Sequence, residues 1–385
     1  MEYPPETGGG GIGSYVLVQA AALVARGHEV HVLSCVPGQE SRDYVDGGVH
    51  VHRRGQRYLR GASRIARESA WRLHGALASF LAYRRLDERF DVIEAPDWAA
   101  EGFFFALFRP APLVAHLHSP LVFIYRGSGR KMGWDDRFAS LLERVAVRRA
   151  DVVTAPSGFI VDELRGEGWL PRRDVQVIPH PIDLARWAID STETPPRILT
   201  VGRVEPRKSP EILVEGAARL LQQVPGLEIV FLGRSNYRRD GMPYRDWVAA
   251  MARASGVQST FVDSVPRDEL AAWYGRARVV VLPSAHDNLP MAGLEAMAAG
   301  RPLVCSSRTG LAELVENSRA GRTFTAGSVD ELTDALRPFL VDPQLAEEAG
   351  RWARELVERR CSPERVTEER ERCYDHAIRL FRKRG

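Results

Sequence analysis

Features that would mark several other classes of protein are scarce or absent in this sequence of 385 residues. It has only four cysteines, at positions 35, 305, 361 and 373, and no Cys-x-x-Cys pair, which argues against a disulfide scaffold and a cysteine zinc site. No run of about 18 apolar residues occurs, so we expect no transmembrane helix. The first residues show no charged-then-apolar signal pattern. The expected location is therefore the cytoplasm.

An excess of charge of one sign is also lacking, since 53 basic and 50 acidic side chains give a net charge of +3. A nucleic-acid partner is not expected, because such binders are usually more basic. One basic stretch runs from Arg53 to Arg72 against a single acid, Glu68. It could hold the protein peripherally at the inner face of a membrane, or it could be a solvated helix face with a mobile loop. Its arginines are Arg53, Arg54, Arg57, Arg60, Arg64, Arg67 and Arg72.

What is present is the pattern of an α/β protein. Hydrophobic residues make up 44% of the chain, which allows a real core, and the length favours two domains. Short apolar runs alternate with helix-length segments, as in parallel sheets covered by helices. The first set of predicted strands is Glu29–Cys35, Asp91–Glu94, Pro112–Leu117, Asp151–Thr154 and Val175–Ile178. The second set is Arg197–Val201, Glu228–Leu232, Ser259–Val262, Val279–Leu282 and Leu303–Cys305. Two such sets predict two doubly wound, Rossmann-like domains.

The polar stretch Ile182–Pro196 separates the two sets and predicts the domain boundary. We expect an N-terminal domain over residues 1–185 and a second domain over residues 196–360. A final helix, Ser362–Phe381, should extend to about residue 382 and cross back to the first domain. The pattern predicts that the first domain begins just after its central strand. Either its start is misassigned or truncated, or its sheet must close without that strand.

A glycine cluster, GGGGIGS, spans Gly8 to Ser14 and precedes a predicted helix, Tyr15–Arg26. Glycines let backbone N–H groups approach an anion closely, and a helix start adds partial positive charge. The cluster contains a formal G-x-G-x-x-G, but a nicotinamide site also needs a strand just before it. We therefore favour a loop that contacts an anion or substrate, with an exposed tail and a nicotinamide site as alternatives.

Basic and acidic side chains in the second half lie where strands end. Arg203 and Lys208 follow one strand and could clamp two phosphates. Asp287 follows another strand, and Glu295 lies in the helix Pro290–Ala299. Ligands bind beyond the carboxyl ends of such strands, and Glu295 suits the vicinal hydroxyls of a ribose. The alternatives are a solvated basic turn and a capped, solvated helix.

Three further groups are candidates in the first half. His116 and His118 point to one face of a strand, and either could be an interior histidine. Glu94 and Asp97 flank a proline after a strand and could bind an acceptor, or cap the segment Trp98–Phe105. Ser157 is best interpreted as an N-cap.

The ordered motifs of the chain resemble those of retaining glycosyltransferases of family 4, in the group that includes glycogen synthases and mannosyltransferases. The motifs are YPPETGGGGIGSYV, EAPDW, HLHSP, APSGF, VIPHPID, VGRVEPRKSPEILVEG, DNLPMAGLEAMAAGRPLV and TGLAELV. The resemblance implies a GT-B fold, with two Rossmann-like domains facing across a cleft. It also implies a retaining, metal-independent transfer from a nucleoside-diphosphate sugar (UDP or GDP) to an acceptor hydroxyl, with no cofactor.

The resemblance also assigns roles to matching positions. The implied catalytic set is Arg203, Lys208, Asp287, Glu295 and His118. The implied donor-binding set is Gly10, Gly11, Gly202, Asn288, Leu289, Pro290, Met291 and Val262, and the acceptor-binding set is Glu94, Asp97 and Trp98. The chain departs from the pattern at Asp287, where Glu is usual, and at His180-Pro181, where many members have Asn-Gly.

The acceptor is left open as a glycan, a lipid-linked molecule or a natural product. Two alternatives share the architecture: a nucleotide-sugar epimerase and a non-catalytic nucleotide-sugar-binding protein. A nicotinamide-dependent oxidoreductase is a further alternative that rests on the glycine cluster alone.

Overall fold

The computed structural model describes Tyr3 and residues 10–37, 40–56, 66–189 and 195–384. The chain divides into two compact units: unit 1 comprises Met1–Pro181 and Pro363–Gly385, and unit 2 comprises Ile182–Ser362. The division falls at the very start of the stretch predicted as the boundary. Ile182 and Trp187 are each 1% exposed and pack in the core of unit 2, so this segment is not a solvated linker.

Unit 1 holds seven helices and seven strands among its described residues. The helices are α1 (Gly11–Ala25), α2 (Arg67–Tyr83), α3 (Phe103–Phe108), α4 (Leu121–Gly127), α5 (Trp134–Arg149), α6 (Gly158–Gly166) and α14 (Pro363–Arg382). The strands are β1 (Val30–Pro37), β2 (Arg42–Asp46), β3 (Val49–Gln56), β4 (Ile93–Pro96), β5 (Leu113–His116), β6 (Val152–Ala155) and β7 (Gln176–Val177). Helix α14 packs on α1, β5 and β6, so it belongs to unit 1 although it comes last in the chain.

The strands of unit 1 form two sheets. One has the order β1-β3-β2, with β1 parallel and β2 antiparallel to β3, and the other is a parallel sheet in the order β4-β5-β6-β7. Within the described residues no strand joins β1 to β4. The two sheets are therefore separate in the part of the chain that the structure describes.

Unit 2 is built on one parallel sheet of six strands in the order β12-β9-β8-β13-β14-β15. These strands are β8 (Arg197–Val201), β9 (Glu228–Leu232), β12 (Gln258–Val262), β13 (Val279–Leu282), β14 (Leu303–Ser306) and β15 (Gly321–Phe324), and β10 (Arg238–Arg239) and β11 (Met242–Pro243) form a small hairpin. The helices are α7 (Pro210–Ala218), α8 (Tyr244–Ala254), α9 (Leu270–Gly275), α10 (Met291–Ala298), α11 (Ala312–Val315), α12 (Val329–Val341) and α13 (Pro343–Cys361).

The six-stranded sheet is apolar on both faces, as the continuous apolar runs predict. Ile198, Val279 and Val281 pack in one core cluster, whereas Leu199 and Val280 pack in the cluster on the opposite face. All ten predicted strands are present, with ends that differ by up to two residues. Strands β2, β3, β10, β11 and β15 were missed because their sequences are very short or rich in charged and polar residues, and helix α1 begins at Gly11 instead of Tyr15.

The basic stretch is not one exposed basic face. Arg53 lies in β3 and Arg72 in α2, and each is 1% exposed, so neither can reach a membrane surface. Arg72 forms ion pairs with Glu68 (2.7 Å) and Glu143 (3.2 Å). These two guanidinium groups are therefore not part of an exposed basic face, and Arg57, Arg60 and Arg64 lie outside the described part of the chain. No described helix is long and apolar enough to cross a membrane.

Candidate functional site

The candidate site of unit 2 lies where two neighbouring strands end. Strand β13 pairs in parallel with β8, so the loops that follow them emerge side by side at the carboxyl edge of the sheet. The loop after β8 carries Arg203 to Lys208, and the loop after β13 carries Asp287. A backbone bond from Ala285 N–H to the Arg207 carbonyl (2.9 Å) joins the two loops.

A charged cluster formed by Arg207, Lys208 and Asp287 occupies this junction. The Lys208 ammonium donates to one Asp287 oxygen, and Arg207 Nη1 donates to the other at 3.2 Å. Asp287 is only 8% exposed. Burial alone would raise the pKa of its carboxyl group, but the charges of Lys208 and Arg207 outweigh burial and hold the pKa well below its usual range. The carboxylate is therefore ionised and compensates two cations.

Arg207 was not among the residues predicted from the sequence. Its guanidinium group also contacts Glu205 (2.9 Å) and the His286 carbonyl (3.0 Å), which fixes the two loops against each other. The signal in the sequence for Arg207 was its position next to Lys208. Two adjacent cations stand out in a segment that follows a strand and precedes a helix. The next residue, Ser209, has a φ of +47°, which is a strained backbone conformation. This conformation helps to position Arg207 and Lys208.

Arg203 lies beside the cluster but outside it. Its side chain is 60% exposed and forms its ion pair with Glu205 at 3.3 Å. Together with Gly202, Lys208 and Ser284 it lines a small cavity of about 20 Å³ at the strand ends. Gly202 has a φ of +141°, which only glycine adopts readily, and this bend turns the chain from β8 towards Arg203. Arg203 is thus the solvent-facing cation of the loop.

The other predicted donor-binding residues of this unit lie on the loop after β13 and at the end of β12. Asn288 is buried and its carbonyl accepts the N–H of Gly310 at 2.5 Å, while Asp287 N–H donates to Arg308 at 3.0 Å. Pro290 is the N-cap of α10, whose first residue is Met291, and Leu289 packs in the core. The loop is therefore rigidly held with the start of α10 directly behind Asp287. Val262 ends β12, where its carbonyl accepts the N–H of Gly233.

Glu295 lies on α10, 6% exposed, one helical turn from the loop. The Tyr274 hydroxyl donates to Glu295 Oε2 at 2.9 Å. Burial raises the pKa of Glu295, while the Tyr274 hydrogen bond and the charges of Arg267 and Arg186 act in the opposite direction. Tyr274, Arg267 and Arg186 were missed because they come from elements distant in sequence, and no local pattern marks them.

Unit 1 contains a second cluster, formed by the imidazoles of His116, His118 and His180 around Tyr15. The three rings lie 4.9–5.2 Å from the Tyr15 ring. All three histidines are buried, and burial lowers the pKa of each below its ordinary value, to about 3 for His118. The imidazoles are therefore neutral near pH 7, and they donate and accept hydrogen bonds as uncharged groups.

One nitrogen from each of these histidines lies within 4.8 Å of the others, a spacing that could hold a metal ion. The Arg370 guanidinium group lies 3.2 Å from both ring nitrogens of His116. A fixed positive charge in contact with the cluster opposes a second cation. The arrangement suits a neutral or electron-rich ligand better than a metal ion.

Glu94 and Asp97 each accept hydrogen bonds from other groups of unit 1. Glu94 accepts hydrogen bonds from Tyr15 (2.6 Å), Arg370 (3.2 Å) and Tyr374 (2.9 Å), so its oxygens are occupied as the counter-ion of Arg370. Asp97 is fully buried and accepts the backbone N–H of His118 at 2.6 Å. It therefore positions the loop that carries His118.

Trp98 and the glycine residues have simpler placements. The Arg72 guanidinium group lies 5.5 Å from the centre of the Trp98 ring, and the Trp98 ring packs edge-on against Trp71. Gly10 is the N-cap of α1 and Gly11 is its first residue. The remaining glycines of the cluster that precede Gly10 lie outside the described residues. As predicted, the Ser157 side chain caps α6, where it accepts the N–H of Ile160.

Comparisons with known proteins cover both units. Residues 182–356 match the family described as "Glycosyl transferases group 1", and residues 9–186 match "Glycosyltransferase Family 4". The chain is 31% identical to a glycogen synthase of Mycobacterium tuberculosis, over 92% of this chain and 88% of that protein. It is 27% identical to a D-inositol 3-phosphate glycosyltransferase of Actinosynnema mirum, over 90% and 88%.

Solved structures share the fold. Sucrose-phosphate synthase from Thermosynechococcus elongatus superposes with a TM-score of 0.77 at 22% identity, covering 96% of this chain and 94% of that one. Anabaena Alr3699/HepE, solved in complex with UDP-glucose, gives a TM-score of 0.71 at 18% identity, with 97% of each chain covered.

Proposed function

Because the chain belongs to the group 1 glycosyltransferases, we propose that it moves a sugar from a UDP- or GDP-linked donor to an acceptor hydroxyl, with retention at the anomeric carbon. One observation carries this proposal. Lys208 and Arg207 meet Asp287 at the carboxyl edge of a parallel sheet, directly before the helix that bears Glu295. Such an edge is where α/β sheets bind nucleotides. The HepE structure contains UDP-glucose, which supports a donor of this class.

The cations of the cluster would bind the donor diphosphate. Arg203 is exposed and Lys208 lies beside it on the same small cavity, so both can reach a ligand at the strand ends. The start of α10 adds partial positive charge. Negative charge grows on the diphosphate as the sugar leaves, and fixed donors stabilise it most when they are already in place. By that principle, loss of one donor raises the barrier by about 3 kcal/mol.

Asp287 changes partners when the donor binds. Its carboxylate is held by Lys208 and Arg207, and phosphate oxygens would compete for the same cations. An oxygen released from Lys208 can then accept a hydrogen bond from a hydroxyl of the donor sugar. The shorter Asp side chain therefore serves both as the resting counter-ion of the cluster and as a sugar ligand.

Glu295 is suited to the ribose. A carboxylate can accept hydrogen bonds from two vicinal hydroxyls, and Tyr274 fixes the orientation of this one. Arg267 and Arg186 act against the effect of burial and favour the ionised form. In this proposal Glu295 binds the nucleoside, and the diphosphate lies at the start of α10.

In the proposed reaction the bond from the anomeric carbon to the phosphate oxygen breaks and a bond to the acceptor oxygen forms on the same face. The acceptor proton passes to the leaving phosphate. Arg203, Arg207 and Lys208 supply the positive charge, so the proposed mechanism is independent of a metal. His118 is neutral near pH 7, and its proposed role is a hydrogen bond to a sugar hydroxyl instead of proton donation.

The experiment is a donor-by-acceptor screen read by mass spectrometry, with EDTA present in one arm. UDP- and GDP-sugars are paired with glycan, lipid-linked and natural-product acceptors. We expect a new glycoside in at least one pair, its loss in Glu295→Ala, and its retention in Glu348→Ala, a control at an exposed acid of α13. A donor that is epimerised but not transferred, binding without turnover, or stabilisation by NAD alone would each contradict the proposal.

A further inference from the structure

One face of the sheet β1-β3-β2 carries three histidines. His31 of β1 lies opposite His50 of β3, and His52 follows two residues further along β3 on the same face. The alternating residues Val32 and Val51 point to the other face, where they pack against α1 in the core. The three imidazoles are therefore gathered on the face of this sheet that α1 does not cover.

His31 lies at the centre of this group, and both of its ring nitrogens have polar neighbours. Its Nδ1 lies 3.0 Å from Nε2 of His52. Its Nε2 lies 3.3 Å from a carboxylate oxygen of Glu29 and 3.2 Å from one of Glu88. Glu29 precedes β1, and Glu88 comes from the segment between α2 and β4. Three separate segments of unit 1 thus meet at one imidazole.

A chain of hydrogen bonds sets the orientation of His31. The Asp43 carboxylate lies 2.8 Å from Nδ1 of His52. Arg54 also binds Asp43, and this hydrogen bond lowers the pKa of the carboxyl group, so Asp43 is ionised and can only accept. An uncharged His52 that donates from Nδ1 has a lone pair on Nε2, which accepts the N–H of His31 Nδ1. The lone pair of His31 Nε2 is then directed at the two glutamates.

The Nε2 end of His31 calls for a cation. A nitrogen lone pair and two carboxylate oxygens converge there, and electron-rich groups at such short distances repel one another. In the part of the chain that the structure describes, neither Glu29 nor Glu88 forms an ion pair with an arginine or a lysine. A single proton on Nε2 is shared between two acceptors, whereas a divalent ion binds all three groups at once.

The distances fit zinc. Two ligand atoms that each lie about 2.0–2.1 Å from a tetrahedral zinc ion are about 3.3–3.4 Å apart. The contacts of His31 Nε2 with the two carboxylates, at 3.3 and 3.2 Å, match this separation. The ring of His50 stacks on His31 at 4.6 Å, and one of its nitrogens lies within 4.8 Å of the ligand atoms of His31 and Glu29, so a turn of this ring supplies a fourth ligand. Imidazole suits zinc, whereas Mg²⁺ and Ca²⁺ prefer oxygen ligands.

We propose that this face of the sheet binds one zinc ion through the side chains of Glu29, His31, His50 and Glu88. His52 and Asp43 are positioning residues, since ligating histidines usually donate their second N–H to a further acceptor that fixes the ring. Four protein ligands leave no open position, which is typical of a structural zinc. The two glutamates balance the charge of the ion. The zinc fixes β1, β3 and the segment before β4 to one another and takes no part in the sugar transfer proposed above.

The test is zinc binding to the full chain, without an added tag and after treatment with EDTA. By isothermal titration calorimetry we expect one Zn²⁺ per chain with a micromolar or lower Kd, no comparable binding of Mg²⁺, and a tetrahedral absorption spectrum when Co²⁺ replaces zinc. Zinc binding should weaken at least about 100-fold in Glu29→Gln/Glu88→Gln, and equally in His31→Asn, which keeps an amide near Nδ1 but removes Nε2. The matched controls His74→Gln, on α2, and Glu348→Gln, on α13, should leave zinc binding unchanged.

A second pair of variants tests the positioning role of His52. His52→Ala removes the acceptor for His31 Nδ1–H, and zinc binding should weaken by about 10–100-fold. His52→Gln has an amide oxygen that can accept the same N–H, so it should restore most of the affinity. Equal zinc affinity in His52→Ala and the unmodified chain would refute the positioning role.

Three results would overturn the zinc site itself. The first is that the unmodified chain does not bind zinc, or binds Mg²⁺ equally well. The second is a zinc affinity that is unchanged in Glu29→Gln/Glu88→Gln, or that falls as much in the two control variants. The third is zinc binding that survives in His31→Asn but is lost in His180→Ala, which would place the ion among the buried histidines around Tyr15.

Discussion

Replacement of Asp287 by asparagine tests the central cluster most directly. The change keeps the shape of the side chain and removes its charge, so that Arg207 and Lys208 lose their shared counter-ion. Removing one partner of a buried ion pair costs about 3–5 kcal/mol. Arg207 keeps Glu205 as a partner, and both cations retain some exposure to water, so we expect the lower end of that range.

The measurement is thermal unfolding of the full chain at pH 7. A loss of about 3 kcal/mol lowers the Tm of a domain of this size by about 6–12 °C. The matched control is Asp263→Asn, because Asp263 also pairs with an arginine, Arg245, but its side chain is 67% exposed. An exposed pair contributes at most about 1 kcal/mol, so the control should lower the Tm by no more than about 4 °C.

Two further measurements test this prediction, one with added nucleotide and one at different pH values. UDP or GDP should raise the Tm of the Asp287→Asn chain more than that of the unmodified chain, because a bound diphosphate replaces the missing anion. The folded-state pKa of Asp287 lies below its ordinary value of 3.8, so its stabilisation is present above about pH 4 and is lost as the pH falls further. The difference between the two chains should therefore shrink on acidification.

A Tm for Asp287→Asn no lower than that of Asp263→Asn would refute the reasoning. It would mean that Lys208 and Arg207 do not depend on Asp287 for charge compensation. If UDP and GDP raise the Tm of both chains equally, the cluster does not take part in diphosphate binding.

Three other changes have defined outcomes. Tyr274→Phe removes the hydroxyl that orients Glu295, so we expect the KM for the donor to rise about fivefold with kcat nearly unchanged, from steady-state kinetics. Burial raises the folded-state pKa of Asp97 to about 8, so the contribution of Asp97 to stability falls as the pH rises from about 4 to 8. Stability of unit 1 measured over that range should therefore decline less steeply in Asp97→Asn. Gly350→Ala should lower the free energy of unfolding by about 1–3 kcal/mol in denaturant, because the new Cβ would lie 2.0 Å from the Gly300 carbonyl oxygen.

Each of these has a contradicting result, and Gly350→Ala also has a matched control. If the donor kinetics are unchanged in Tyr274→Phe, the Tyr274 hydroxyl has no role in the nucleoside site. A steeper pH dependence in Asp97→Asn would reverse the sign assigned to the carboxyl group. Gly166→Ala is the control for Gly350→Ala, since its new Cβ would meet nothing within 4 Å beyond the backbone of its own helix and its chain neighbours. An equal loss in both variants would exclude the backbone clash as the cause.

The strands and the family could be predicted from the sequence because both depend on order along the chain. A run such as Val279–Leu282 is apolar at every position, and this alone predicts a strand buried on both faces. The spacing of Asp287 and Glu295 predicts a loop acid followed by a helix acid, which is what α10 presents. The motifs also sufficed to predict a glycosyltransferase, which the family matches confirm.

Partners that come from distant elements could not be predicted. Arg203 and Arg207 are both cations of one loop, and only the packing of β8 beside β13 decides that Arg207 meets Asp287 while Arg203 faces water. Tyr274 reaches Glu295 from α9, and a local pattern does not reveal that contact. The partners of Glu94 and Asp97 could not be predicted for the same reason, since they come from α14 and from the loop after β5.

The sequence by itself thus determined the apolar strands, because burial and backbone preference act on neighbours along the chain. Only the tertiary structure decided which charges compensate each other and where the two units divide. Those properties depend on the order of strands in a sheet, which brings together residues that the chain keeps far apart.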